Sequence, residues 1–134
     1  MIGMNDCTRG PEMRARFESN LRELVHRARA AGALPLLHTT SRIDTNREST
    51  RNDLPAYNQI IIKVAGSEGV VLVDHWNHWQ KECPDQVTLQ EWLNDPVHPN
   101  ARGHREFARL IFRTLDIYDA KSPTCQPVDP SRPH

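Results

Sequence analysis

Residues 70–74 read Val-Val-Leu-Val-Asp. A continuous apolar run rich in β-branched residues suits a strand buried on both faces, and the aspartate ends it. Just before it, Tyr57, Ile60, Ile61, Val64 and Ala65 recur at helical spacing. Asn52 or Asp53 can cap that helix, Pro55 fits its first turn, and Gly66 and Gly69 close it. Earlier still, Ala33–Thr40 reads Ala-Leu-Pro-Leu-Leu-His-Thr-Thr. This is a second buried strand, with Pro35 near its start. Ser41–Asp53 is polar and reads as a loop.

Further outward, Pro11–Ala31 carries Phe17, Leu21, Leu24, Val25, Ala28 and Ala31 on one helical stripe, with Gly32 as the residue that ends it. Ile2 and Gly3 read as the last step of a preceding strand. On the other side, His75–Pro84 reads as a loop or broken helix. Thr88 can cap a short helix through Leu93. Asn100 can cap a last helix with Phe107, Leu110, Ile111 and Leu115 inward. Strands alternating with helices imply a parallel sheet with right-handed crossovers. Ligands then bind beyond the carboxyl ends of the strands, where Asn5, Thr39–Arg42 and Asp74 gather. Residues 1–118 are expected to form one domain, and 119–134, proline-rich and without periodicity, a disordered tail.

The chain has 134 residues, 17 Lys plus Arg and 17 Asp plus Glu. Zero formal charge argues against a nucleic-acid partner held by phosphate neutralisation. No apolar run approaches the roughly 18 residues of a membrane span. Met1–Asp6 lacks the features of a signal peptide, and the compartment stays open. Cys7, Cys83 and Cys125 are scattered, which argues against a disulfide framework or a zinc knuckle.

The chemistry concentrates in Asp95-Pro-Val-His98-Pro-Asn100-Ala-Arg-Gly103-His104. An acid three residues before a histidine can hold one imidazole nitrogen while the other faces a cleft. An ordinary surface turn has the same spacing, but the Pro-Asn-x-x-Gly-His continuation narrows the reading. This block resembles the last sequence block of the SGNH (GDSL-like) esterase/lipase family, and Gly3-Met4-Asn5-Asp6 resembles the same family's GxND block. The resemblance implies a flavodoxin-like three-layer α/β/α sandwich with a parallel sheet. It implies hydrolysis of a small acyl or acetyl ester, on a carbohydrate or a lipid, with no cofactor. By the same resemblance His98 is general base and then general acid, Asp95 fixes its tautomer, and Asn5 donates its amide to the oxyanion. Asp6 is a structural partner of its neighbours. Gly3, Trp76 and Trp79 are expected near the substrate, though core packing or a half-buried lid is an equal reading of the tryptophans.

The family's Gly-Asp-Ser block and its second block have no counterpart here. Neither Ser41, which follows a strand, nor Ser67 sits in the family's context. Cys7 lies beside the asparagine, but a buried structural thiol is the preferred reading. The chain is therefore expected to be truncated at the N-terminus of the domain, and the N-terminal part of that domain to be its partner and the source of the nucleophile. A second reading is a non-catalytic module that binds a carbohydrate or a partner through the tryptophans. Asp74, His75 and His78 offer metal-ligand types, but solvated loop histidines are preferred and no metal is expected. Arg42, Arg47 and Arg51 are read as a solvated loop ahead of an anion site, and His104 as a packing residue.

Overall fold

The computed structural model describes residues 1–126. Short 3₁₀ turns at Asp6–Arg9 and Pro11–Met13 lead into α1 (Arg14–Ala30). Then follow β1 (Leu36–His38), a 3₁₀ turn at Ser49–Arg51, α2 (Leu54–Glu68), β2 (Val71–Val73), α3 (His75–Glu82), α4 (Gln86–Gln90) and α5 (Ala101–Thr114). β1 and β2 pair in parallel, with Leu36 opposite Val71, Leu37 opposite Leu72 and His38 opposite Val73.

Alternation along the strands sends successive side chains to opposite faces. Leu37 and Leu72 join a cluster on one face built from Cys7, Phe17, Leu21, Ile43, Leu54, Tyr57, Ile61 and Val64. α1 and α2 supply most of it. On the other face His38 meets His75, and His75 meets Phe107 of α5 edge-on at 4.6 Å. Trp79, Cys83, Leu89, Trp92, Leu93 and Phe107 form the second cluster there. The result is three layers around a parallel sheet: the alternation implied the parallel strands, and the family resemblance implied the layers.

α1 ends as its glycine requires. Gly32 takes φ +76°, and the amides of Gly32 and Ala33 return to the carbonyls of Arg29 and Ala28, both at 2.9 Å. Buried polar groups steer the chain as it leaves β1. The Asn58 carbonyl oxygen accepts from the Thr40 amide at 2.8 Å, and its nitrogen donates to the Leu54 carbonyl at 3.2 Å. Both residues are fully buried, so these bonds are costly to leave unmade.

Several expectations are corrected. Ile2 and Gly3 lie in a turn, because the Gly3 amide donates to Asp6 Oδ2 at 3.0 Å and the Gly3 carbonyl accepts from the Cys7 amide at 3.1 Å. His75–Glu82 is a continuous helix, capped by Asp74, whose carboxylate accepts from the Asn77 amide. Asp85 rather than Thr88 caps α4, and that helix ends at Gln90. Gly66 lies inside α2, and Gly69 closes it at φ +60°. Asp53 sits at the head of α2, but its carboxylate pairs with Arg14 and leaves the helix amides alone. Leu24 of the expected α1 stripe is 51% exposed. Residues 119–126, read as part of a tail, fold back onto α5. Arg109 donates to the carbonyls of Thr124 and Gln126, Tyr118 donates to the Cys125 carbonyl, and Cys125 is buried. Residues 127–134 of that expected tail lie outside the described residues.

Candidate active site

The Asp95–His98 turn is closed by its own side chains. Asp95 Oδ1 accepts from the amides of Val97 and His98, both at 2.8 Å, and Oδ2 lies 2.7 Å from His98 Nδ1. The same aspartate thus shapes the turn and orients the imidazole. Its carboxyl is held down to about 2, first by the His98 and Val97 amides and then by the imidazole. At neutral pH it is an anion, so Nδ1 carries the proton that bridges the pair. Nε2 is left as the basic nitrogen, on a side chain 76% exposed.

The turn is anchored on three sides. The Asn94 amide donates to the His98 carbonyl at 2.8 Å, and Leu93 bridges to Pro99. Asn100 caps α5 by accepting from the Arg102 and Gly103 amides at 2.9 and 3.1 Å, and donates to the Glu91 carbonyl at 2.8 Å. Val97 packs against the first core cluster. Gly103 explains the glycine of the block. A Cβ there would lie 2.5 Å from the Trp92 carbonyl oxygen, so α5 can approach this closely only without a side chain.

Asn5 lies in the Gly3–Cys7 turn, exposed, with Met4 packed on the same core cluster that holds Val97. Both turns thus pack on the same core cluster. The loop after β1 spans from one to the other. At one end the Asp44 amide donates to the Pro96 carbonyl at 2.8 Å; at the other, Arg51 reaches the Met4 carbonyl and Asn5 Oδ1, both at 3.2 Å. Between them the Glu48 amide donates to the Asp44 carbonyl at 2.9 Å. Nothing in the spacing of the sequence singled out Asp44 or Arg51. The available signal was a polar Ser-Arg-Ile-Asp run directly after an apolar strand.

Other expected site residues are placed elsewhere. The Gly3 amide is spent on Asp6, so Gly3 contributes its φ of +104°, not a free donor. Trp79 is fully buried against Phe107 and Trp92, which removes it from any substrate surface; Trp76 is partly buried against the first cluster. Ser41 is fully buried, and its hydroxyl has no hydrogen-bond partner among the described residues. Cys7 is buried, its thiol pushed up to about 11 chiefly by that burial, and it donates to the Met4 carbonyl. Such a thiol is a poor nucleophile.

His75 and His78 are not solvated loop residues. His75 is buried, with Nε2 3.1 Å from His38 Nδ1, and His78 Nε2 lies 3.5 Å from the Glu106 carboxylate. Among the described residues no three His, Cys, Asp or Glu side chains are grouped to hold a metal ion. Arg42 donates to the Cys83 carbonyl and Arg51 pairs with Glu48, while Arg47 is exposed. No helix is long and apolar enough to cross a membrane, among the described residues. His104 is exposed and meets Phe107 edge-on at 6.0 Å.

No curated protein matches the chain. Solved structures share its fold, two hydrolases among them. One is an alpha/beta hydrolase enzyme from the metagenome of Lake Arreo, Spain, at 27% identity and TM-score 0.63, over 78% of this chain and 48% of that one. The other is an acetyl xylan esterase from Geobacillus stearothermophilus, at 21% identity and TM-score 0.63, over 79% of this chain and 49% of that one. The chain thus spans about half the length of these structures. The model of the GDSL-like Lipase/Acylhydrolase family matches residues 1–106, a stretch that contains both the Gly3–Asp6 turn and the Asp95–His98 pair. With that match and a fold shared with two hydrolases, the chain belongs to the GDSL-like lipase/acylhydrolase family.

Proposed function

We propose that this chain carries the base, its orienting acid and one oxyanion donor of a serine ester hydrolase. The observation that carries the reading is the 2.7 Å contact of His98 Nδ1 with an ionised Asp95, which leaves Nε2 free to accept a proton. We place the nucleophilic serine in polypeptide outside these 134 residues. Supporting this, Ser41 is buried, and Ser19 and Ser67 sit on the exposed surfaces of α1 and α2.

The reaction then runs as acyl transfer. The serine oxygen attacks the ester carbon while His98 Nε2 takes its proton. The imidazolium is stabilised by Asp95 through Nδ1–H. The tetrahedral oxyanion receives the Asn5 amide, a contact whose loss typically costs ~10²–10³ in rate. His98 returns the proton to the leaving alcohol, and water repeats the sequence on the acyl-enzyme. A small acyl or acetyl ester is the proposed substrate class, following the family.

The test is turnover of a chromogenic acetyl ester by the 134-residue chain alone and by the same chain joined to the polypeptide encoded directly before it. Turnover is expected only in the joined form. Turnover by the chain alone that vanishes in Ser41→Ala or Cys7→Ala would refute the placement of the nucleophile. A joined form with a Gly-Asp-Ser strand end that stays inert would refute the enzyme reading.

A further inference from the structure

An oxyanion donor at Asn5 has to present its amide nitrogen, not its carbonyl oxygen. The two ends of an asparagine amide are nearly equal in shape, so contacts of shape alone choose poorly between them. Asn5 is also exposed, so close packing does not settle the choice.

Arg51 supplies the choice. Its Nη2 lies 3.2 Å from Asn5 Oδ1, its Nε lies 3.2 Å from the Met4 carbonyl, and its Nη1 lies 3.0 Å from Glu48 Oε2. A guanidinium has donors only. Whatever faces it must accept, so Oδ1 is turned toward Arg51 and Nδ2 away from it. The fork grips a side chain and the preceding backbone carbonyl together, which fixes the Asn5 side chain relative to its own turn.

Arg51 is itself held. Its side chain is 19% exposed, and the Glu48 carboxylate that pairs with it accepts from the Thr50 amide at 2.9 Å and from the Thr50 hydroxyl. A cation on Oδ1 also draws electron density from the amide, which strengthens Nδ2–H as a donor. Lysine would not substitute fully, because an ammonium is a compact point donor without the planar fork.

We propose that Arg51 is a positioning residue that turns the Asn5 amide NH₂ toward the substrate oxygen by pairing its guanidinium with Asn5 Oδ1 and the Met4 carbonyl. The proposal rests on the reading of Asn5 as oxyanion donor.

Two measurements separate the two claims. The first is the ¹⁵N relaxation of side-chain amides in the 134-residue protein, which needs no catalysis. Asn5 NH₂ should have an order parameter near that of rigid backbone, ~0.85, while exposed Asn46, in the loop that carries Arg51, falls below ~0.6. Arg51→Met should drop Asn5 to the Asn46 level, with Arg51→Lys between. Equal mobility of Asn5 and Asn46 in the unmodified protein would overturn the proposal, whether or not Arg51→Met folds. So would an unchanged Asn5 in a folded Arg51→Met.

The second is a double-mutant cycle on ester turnover in the joined protein. Arg51→Met should lower kcat about tenfold at constant KM, and add no further loss in an Asn5→Ala background. Losses that multiply would show that Arg51 acts elsewhere. An Asn5→Ala protein with unchanged kcat would remove the oxyanion reading, while the relaxation result would still stand on its own.

Discussion

Gly103→Ala should destabilise the protein, while Gly66→Ala, also within a helix, should stabilise it. Relieving glycine's backbone entropy in a helix is worth about 0.5–1 kcal/mol where the added methyl meets nothing. At Gly66 no atom lies within 4 Å of the new Cβ. At Gly103 the methyl would sit 2.5 Å from the Trp92 carbonyl oxygen and 2.9 Å from both Pro99 Cβ and Trp79 Cη2. The carbonyl cannot retreat freely, because it accepts the Asn100 amide at 2.9 Å. Overpacking of this kind costs about 1–3 kcal/mol, and weakening that hydrogen bond adds about 1 kcal/mol. After the helix gain, a net loss of about 2 kcal/mol remains. Urea denaturation at pH 7 gives the numbers directly, and in a thermal melt the loss corresponds to a fall of roughly 6–10 °C. The displacement would also reach His98 through Pro99. A Gly103→Ala protein as stable as the parent, or equal shifts in both variants, would refute the close-approach argument.

Acid should weaken the fold through His75. Burial first, then His38, His78 and the chain's amino terminus, hold its pKa at about 3 against an ordinary 6.5, and the Phe107 ring of α5 also packs against it. The folded state therefore binds the proton less well, and this contribution is lost as pH falls from about 6.5 toward 3. The loss is about 2 kcal/mol between pH 7 and 5, measurable as a urea-midpoint shift that His75→Gln should flatten. Asn100→Ala should cost about 1–2 kcal/mol by uncapping α5, read in the same assay; no change would mean the cap bonds are idle. Cys7 and Cys83, pushed by burial to about 11 and about 12, should resist a thiol reagent at pH 8 until the chain unfolds. Labelling of either in the native state would contradict their burial.

The helices and strands that were legible had strong local periodicity. Val70–Val73 and the Tyr57–Ala65 stripe name their elements without tertiary help. The Asp95–His98 pair was legible because a turn of this kind is a local object, built from side chains and amides within four positions. What escaped depended on contacts distant in sequence. Trp79 reads equally as a pocket wall or a core residue until Phe107 and Trp92 are seen around it. The Ile2–Gly3 segment is a local exception: its apolar pair looked strand-like, but the Asp6 side chain three residues on closes a turn there. Arg51 looked like one basic loop residue among three; only the fold brings it to Met4 and Asn5, more than forty positions away.

The most direct test of the account is the initial rate of acetyl-ester hydrolysis by the joined protein with His98→Ala beside the parent. The expected loss is about 10⁶-fold, the scale of removing the histidine base of such a site. A His98→Ala protein that hydrolyses the ester at the parent's rate would contradict it.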